Sequence, residues 1–208
     1  MWPQVVRDAA PLDTAEKHIF CYLPHGMLPI GCSYLPHLPG WRAAFPGIQP
    51  RTLTASVMHS APFIRDLSQW MGFASVSWTS FERNLSESGA VLFCPGGQSE
   101  SLHASAAWRP PAPPRQHEQP ARHRQQQGRH AAVPPAHSAQ ASAEGPAVRL
   151  CTRHKGFARM ALQQGAALVP VLVLGEALQV RNAVHWPWLQ RFTYRRIGAP
   201  LFPVFQWI

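Results

Sequence analysis

Three short, almost unbroken apolar runs limit what this chain can fold into: residues 18–23 (HIFCYL), 90–94 (AVLFC) and 168–174 (LVPVLVL). Each is of strand length, rich in β-branched or aromatic residues and bounded by glycine or proline, so each reads as a buried strand. Helical stretches lie between them. Residues 54–72 carry Val57, Met58, Phe63, Ile64, Leu67 and Met71, and residues 156–165 bring Phe157, Met160 and Ala161 onto one face. Strands alternating with helices predict an α/β domain with a mainly parallel central sheet flanked by helices.

A chain of 208 residues is long enough for one domain with a real core. Residues 104–147 are of another kind, dominated by Pro, Gln, His, Arg and Ala without apolar periodicity. Such a tract buries too little apolar surface to offset the entropy of ordering it, and is expected to be a disordered insertion. The predicted organisation is a leading segment 1–17, an acyclic low-complexity tract at 104–147, and a folded domain made of 18–103 and 148–208. Retained intron or shifted-frame sequence is the expected origin of the tract.

The formal charge of +9 comes almost wholly from arginine, since Lys17 and Lys155 are the only lysines. Such a balance suits nucleic acid, anionic lipid or a phosphate-rich ligand. Much of it sits in the low-complexity tract, where "RHRQQQGRH" reads as solvated chain rather than a nucleic-acid arm. Cys21, Cys32, Cys94 and Cys151 form no CxxC pair and read as reduced core thiols, which argues against a zinc site or a disulfide framework. Residues 1–20 carry Asp8, Asp13, Glu16 and Lys17 where a secretory leader would be apolar, and no run has the length of a membrane span.

With the acids of the leading segment and the insertion set aside, Asp66, Glu82, Glu87, Glu100 and Glu176 remain as acid–base candidates. Glu100 closes "VLFCPGGQSE" and Glu176 closes "LVPVLVLGE", each just after a strand, and His25 follows the first strand in "YLPHGMLPIG". Open parallel sheets bind ligands beyond the carboxyl ends of their strands, so these three groups form a candidate site if the strands are parallel. Gly96 and Gly97 give the turn after the second strand the freedom to aim backbone N–H groups at an anion; a plain strand-to-helix connection is the alternative. The turn lacks the Lys-Ser/Thr of a P-loop, and Ser99 lacks the flanking glycine of a nucleophile elbow. Arg153, His154 and Lys155 open a helix whose dipole disfavours cations, which suits a bound anion there. "HWPWLQRFTYRR" interleaves Trp186, Trp188, Phe192 and Tyr194 with Arg191, Arg195 and Arg196, as a membrane-interface segment does; a core edge with snorkelling arginines is the simpler account.

Taken in order, "YLPHGMLPIG", "FPGIQPRTLTAS", "PFIRDLSQWMGFASVS", "VLFCPGGQSESL" and "RHKGFARMALQQGAALVPVLVLGE" resemble the boxes of the diacylglycerol acyltransferase 2 family, which includes monoacylglycerol and wax-ester acyltransferases. The resemblance implies an acyl-CoA-dependent O-acyltransferase that esterifies a lipid hydroxyl, most simply that of diacylglycerol, with acyl-CoA as co-substrate and no resident cofactor. It implies that His25 is the general base and that Glu100 lines the reaction centre; with no acid adjacent to His25 to orient it, Glu100 is the preferred catalytic partner. It further implies that Pro24, Gly26, Pro95, Gly96, Gly97 and Glu176 line the substrate site, and that Arg65, Arg153 and Lys155 face CoA phosphates. A membrane surface at the endoplasmic reticulum is the implied location, with the plastid envelope or a lipid droplet as alternatives; nucleic acid is not an implied partner.

The chain departs from the family pattern at several points. Leu23 replaces the first histidine of the usual HPHG box, Ile30 occupies a position that is Asp in the wider glycerolipid acyltransferases, and Leu174 stands in place of a phenylalanine. A hydrophobic hairpin ahead of the first box and the usual C-terminal part are expected to be missing. A non-catalytic membrane-associated relative and a serine esterase using Ser99 are therefore the alternatives.

Overall fold

A computed structural model describes residues 5–7, 10–60, 62–97, 101, 155–176, 180–182, 186–197 and 205–207. The low-complexity tract 104–147, Ser99, Glu100, Arg153 and His154 lie outside the described residues.

The centre of the fold is a five-stranded sheet in the order β3-β2-β4-β1-β5. Its strands are β1 (His18–Leu23), β2 (Arg51–Thr54), β3 (Ala74–Ser75), β4 (Ala90–Phe93) and β5 (Ala167–Leu172). Every pairing between them is parallel. The three apolar runs of the sequence are β4, β1 and β5, side by side in the sheet, with β1 hydrogen-bonded on both edges. β6 (Val180–Asn182) and β7 (Phe205–Trp207) form a separate antiparallel pair.

Strand alternation divides the core into two layers. Ile19, Cys21, Val91 and Phe93 point to one face, where Phe81 and Leu85 of helix α4 (Trp78–Ser88) and Met160 and Ala161 of helix α5 (Gly156–Gln164) cover them. Phe20, Tyr22, Ala90 and Leu92 point to the other face. There they pack with Cys32 of helix α1 (Ile30–Tyr34), Trp41 of helix α2 (Pro39–Ala44), Phe45 and Ile48. Trp41 is fully buried, lies edge-on to Phe20 at 4.9 Å between ring centroids, and donates its indole N–H to the Ile48 carbonyl at 3.1 Å. Burial on both faces explains why β1 and β4 read as continuous apolar runs; β5, expected to be buried, is an edge strand whose alternate residues, Leu168 and Leu172 among them, are exposed.

Two glycines end helices immediately before strands. Gly89, at φ +68, and Gly165, at φ +60, take up the left-handed conformation that closes α4 and α5, and each N–H returns to a carbonyl of its own helix.

The expected helix over 54–72 does not form as one element. Its first residue belongs to β2, residues Ser56–His59 form a single 3₁₀ turn, and helix α3 (Ile64–Trp70) begins only after Pro62. Proline disfavours a helical residue ahead of it and supplies no N–H, so the segment breaks there. The aromatic-basic segment becomes helix α6 (Pro187–Ile197).

Candidate functional site

Because the strands are parallel, the carboxyl ends of β4, β1 and β5 lie along one edge of the sheet. The chain leaves β1 through a cis Leu23–Pro24 peptide into Pro24, His25 and Gly26, all buried. It leaves β4 through Cys94, Pro95, Gly96 and Gly97, and leaves β5 toward Gly175 and Glu176. His25 and Glu176, at 4% and 5% exposure, are buried ionisable groups at this edge. A second buried histidine, His18, opens β1 and so belongs to the opposite edge.

The His25 ring bridges two of the strand-end loops. Its Nδ1 lies 2.7 Å from the Gly26 carbonyl oxygen, and its Nε2 lies 2.8 Å from the carbonyl oxygen of Gly97. Both neighbours are acceptors, whereas a neutral imidazole carries one N–H. The glycine turn thus presents a carbonyl to the histidine. The Gly97 N–H instead closes the turn onto the Cys94 carbonyl at 3.1 Å, so the expectation that both glycines aim N–H groups outward does not hold for Gly97.

Glu176 reaches across to the opposite flank of the His25 loop. Its Oε1 accepts the Gly31 N–H at 2.6 Å, and the Tyr22 hydroxyl is the side-chain partner of the same carboxyl group. Oε2 is buried without a hydrogen-bond partner among the described residues. Burial raises the pKa of Glu176 above the usual carboxylate range. The Tyr22 hydroxyl, the Gly31 N–H and the nearby His25 charge oppose that shift without cancelling it. Burial, followed by the Glu176 charge, drives the Tyr22 phenol far above its ordinary range, so it remains a proton donor. Gly31 is required by this arrangement, because a Cβ there would overlap the Tyr22 hydroxyl.

Of the residues singled out in the sequence, the structure gathers Pro24, His25, Gly26, Pro95, Gly96, Gly97 and Glu176 at the carboxyl edge. Arg65 is elsewhere in the chain's architecture, exposed on α3 and paired with its neighbour Asp66 at 3.0 Å. Lys155 is exposed at the start of α5. Tyr22 and Gly31 were not singled out. The alternation of β1 puts Tyr22 on the Phe20 face, but only the folded chain brings Glu176 beside it. Leu23 packs against the α4–α5 layer, and Ile30 joins an apolar group with Met27, Leu28 and Val180. Neither position supplies a polar group to His25. Among the described residues no three His, Cys, Asp or Glu side chains gather as a metal ion would require. A shallow groove between α4 and α5, lined by Trp78, Glu82, Arg159, Gln163 and Gln164, contains none of the site residues.

A parallel α/β sheet with a buried histidine and a buried carboxylate at adjoining strand ends defines a protein built to act on a ligand at that edge. The chain belongs to the diacylglycerol acyltransferase family: the family described as "Diacylglycerol acyltransferase" matches residues 2–109. Diacylglycerol O-acyltransferase 2A of Umbelopsis ramanniana is 30% identical over 180 residues, covering 84% of this chain and 40% of the relative. Acyl-CoA wax alcohol acyltransferase 1 of Mus musculus is 28% identical, covering 84% of this chain and 43% of the relative. Diacylglycerol O-acyltransferase 2 of Danio rerio is 29% identical, covering 88% of this chain and 43% of the relative. The chain therefore spans about two fifths of the length of these curated relatives. No solved structure matches it.

Proposed function

We propose that this chain carries the histidine site of an acyl-CoA-dependent O-acyltransferase that esterifies a lipid hydroxyl, with diacylglycerol as acceptor and His25 as general base. The observation that carries the reading is the His25 ring, buried at the carboxyl edge of a parallel sheet and held through both nitrogens. The Gly26 carbonyl fixes the proton on Nδ1, which leaves Nε2 as the basic nitrogen. For Nε2 to accept a proton, the Gly97 carbonyl must turn aside, and Gly97 at φ +51 has the backbone freedom to do so. The acceptor hydroxyl then gives its proton to Nε2 as its oxygen attacks the thioester carbon. The new C–O bond forms, the C–S bond breaks, and the CoA sulfur leaves with the proton from the imidazolium.

Glu100, as the acid that orients His25, and Arg65, Arg153 and Lys155, as contacts for CoA phosphates, rest on the family resemblance. A membrane surface at the endoplasmic reticulum fits the same reading. Among the described residues no helix is long and apolar enough to cross a membrane, but two exposed surfaces suit a lipid interface. One is α3 and its approach, where Phe63 and Trp70 are exposed along with Leu67. Phe63 adopts φ +63, a conformation costing on the order of 1–3 kcal/mol in a residue with a Cβ, and holds its ring outward. The other is α6, with Trp188 and Phe192 exposed among arginines and no acidic residue.

The test is ester formation from labelled acyl-CoA and diacylglycerol in membranes of a host lacking neutral-lipid synthesis. The wild-type chain restores storage lipid, and His25→Ala abolishes it at unchanged protein level. Equal activity in the variant ends the general-base reading. Failure of the wild type to restore lipid favours the second reading, a non-catalytic membrane-associated relative, which the absence of a polar group at Leu23 supports.

A further inference from the structure

Glu176 is buried, comes from the far side of the site, and has no ion pair among the described residues to account for its burial. Putting a carboxylate where water cannot reach it is costly unless its oxygens are engaged. What engages it is informative: Tyr22 is in the strand that delivers His25, three residues ahead of it, and Gly31 opens the helix that receives the chain six residues after it. One carboxyl group therefore fastens both flanks of the loop that carries the imidazole.

We propose that Glu176 is a positioning residue for His25, its carboxyl group tying the end of β1 to the start of α1 so that the imidazole is held at the strand edge. This role rests on the reading of His25 as the base, and it differs from the substrate contact implied by family resemblance. With Oε1 occupied by Gly31, the orphaned Oε2 is the part of the carboxyl group left to interact with the loop it encloses. The groups facing this cluster are Tyr22 from β1, His25 from the loop, Cys32 from α1 and Cys94 from the turn after β4.

The experiment uses the full chain and compares wild type with Glu176→Gln, Glu176→Ala and Gly31→Ala. The first measurement is the rate at which diethyl pyrocarbonate modifies His25, read by peptide mass spectrometry. Glu176→Ala and Gly31→Ala, which break the tie from opposite sides, are expected to raise that rate about tenfold. Glu176→Gln keeps an oxygen for the Gly31 N–H and is expected to stay within about twofold of wild type. The second measurement is the steady-state kinetics of ester formation. Glu176→Ala lowers kcat by about tenfold to a hundredfold, as misplacement of a reacting group does, with KM for acyl-CoA nearly unchanged, and Glu176→Gln, which keeps the tie to Gly31, retains most of kcat.

Unchanged His25 modification in both alanine variants overturns the proposal, whatever the activities do. Activity surviving in His25→Ala would instead remove the general-base reading, and the modification rates would still decide whether Glu176 holds the loop. Glu176→Gln guards against a variant that fails to fold, since it is nearly isosteric and its circular dichroism should match wild type.

Discussion

At the scale of single residues, the site is set by what two ionisable side chains are made to face. His25 meets two carbonyl oxygens, and Glu176 meets an N–H and a phenol, with no partner for Oε2 among the described residues. The raised pKa of Glu176 gives a stability prediction with a definite sign. Its folded value lies above the ordinary carboxylate value of 4.5, so between those two values the native state holds more protons than the unfolded state. Stability is therefore greatest below about pH 4.5 with respect to this group and falls as pH rises through the window. Glu176→Gln removes that loss. Thermal melts should show the variant gaining on wild type between acid and neutral pH, and a constant difference would contradict the burial argument. How much of this was legible in the sequence differs between the two residues. His25 stood out because it follows an apolar run inside a Pro-Gly turn, a local signal. Glu176 stood out only as an acid at a strand end; its partners Tyr22 and Gly31 are 154 and 145 positions away along the chain, and no local pattern encodes that meeting.

At the scale of elements, the strands were more readable than the helices. β1 and β4 are buried strands and β5 is a half-exposed edge strand, and the apolar runs of all three needed no partner to be recognised. β2 and β3 escaped because RTLT and AS are short and half polar, and their strand conformation comes from pairing beside β4 and β2. The 54–72 segment had helix-spaced apolar residues, yet those on α3 are largely exposed, so the periodicity there marks an outward face and not a core. Trp41 shows where the burial energy of the second layer is concentrated. It touches Phe20 and Phe45 through its ring and Ile48 through its N–H. Trp41→Ala is expected to cost about 3–5 kcal/mol, a large share of the roughly 5–15 kcal/mol that stabilises a domain. Urea denaturation would read this as a fall in midpoint with little change in slope, and a loss below about 1 kcal/mol would mean that the layer contributes far less than its packing suggests.

At the scale of the whole molecule, a sheet edge carrying a buried histidine and a buried glutamate is combined with outward aromatic and basic surfaces. If α6 lies on anionic lipid, its arginines contribute about 1 kcal/mol each near the surface. Replacing Arg191, Arg195 and Arg196 together by Gln should then weaken binding to phosphatidylserine-containing vesicles by about a hundredfold. Binding to pure phosphatidylcholine should change little, and salt should weaken the wild-type interaction by screening. Cosedimentation with the two kinds of vesicle measures this, and equal losses on both would point to a damaged helix. The sequence by itself determined the α/β class, the three apolar strands, the histidine after the first of them and the family, because each depends on residues close together in the chain or on the order of short motifs. Only the tertiary structure decided that the strands run parallel, that β4, β1 and β5 are neighbours, that Gly97 offers His25 a carbonyl, and that Glu176 closes on Tyr22 and Gly31. Those relations join residues far apart in sequence. They exist only once sheet pairing and burial have placed three strand ends along one edge.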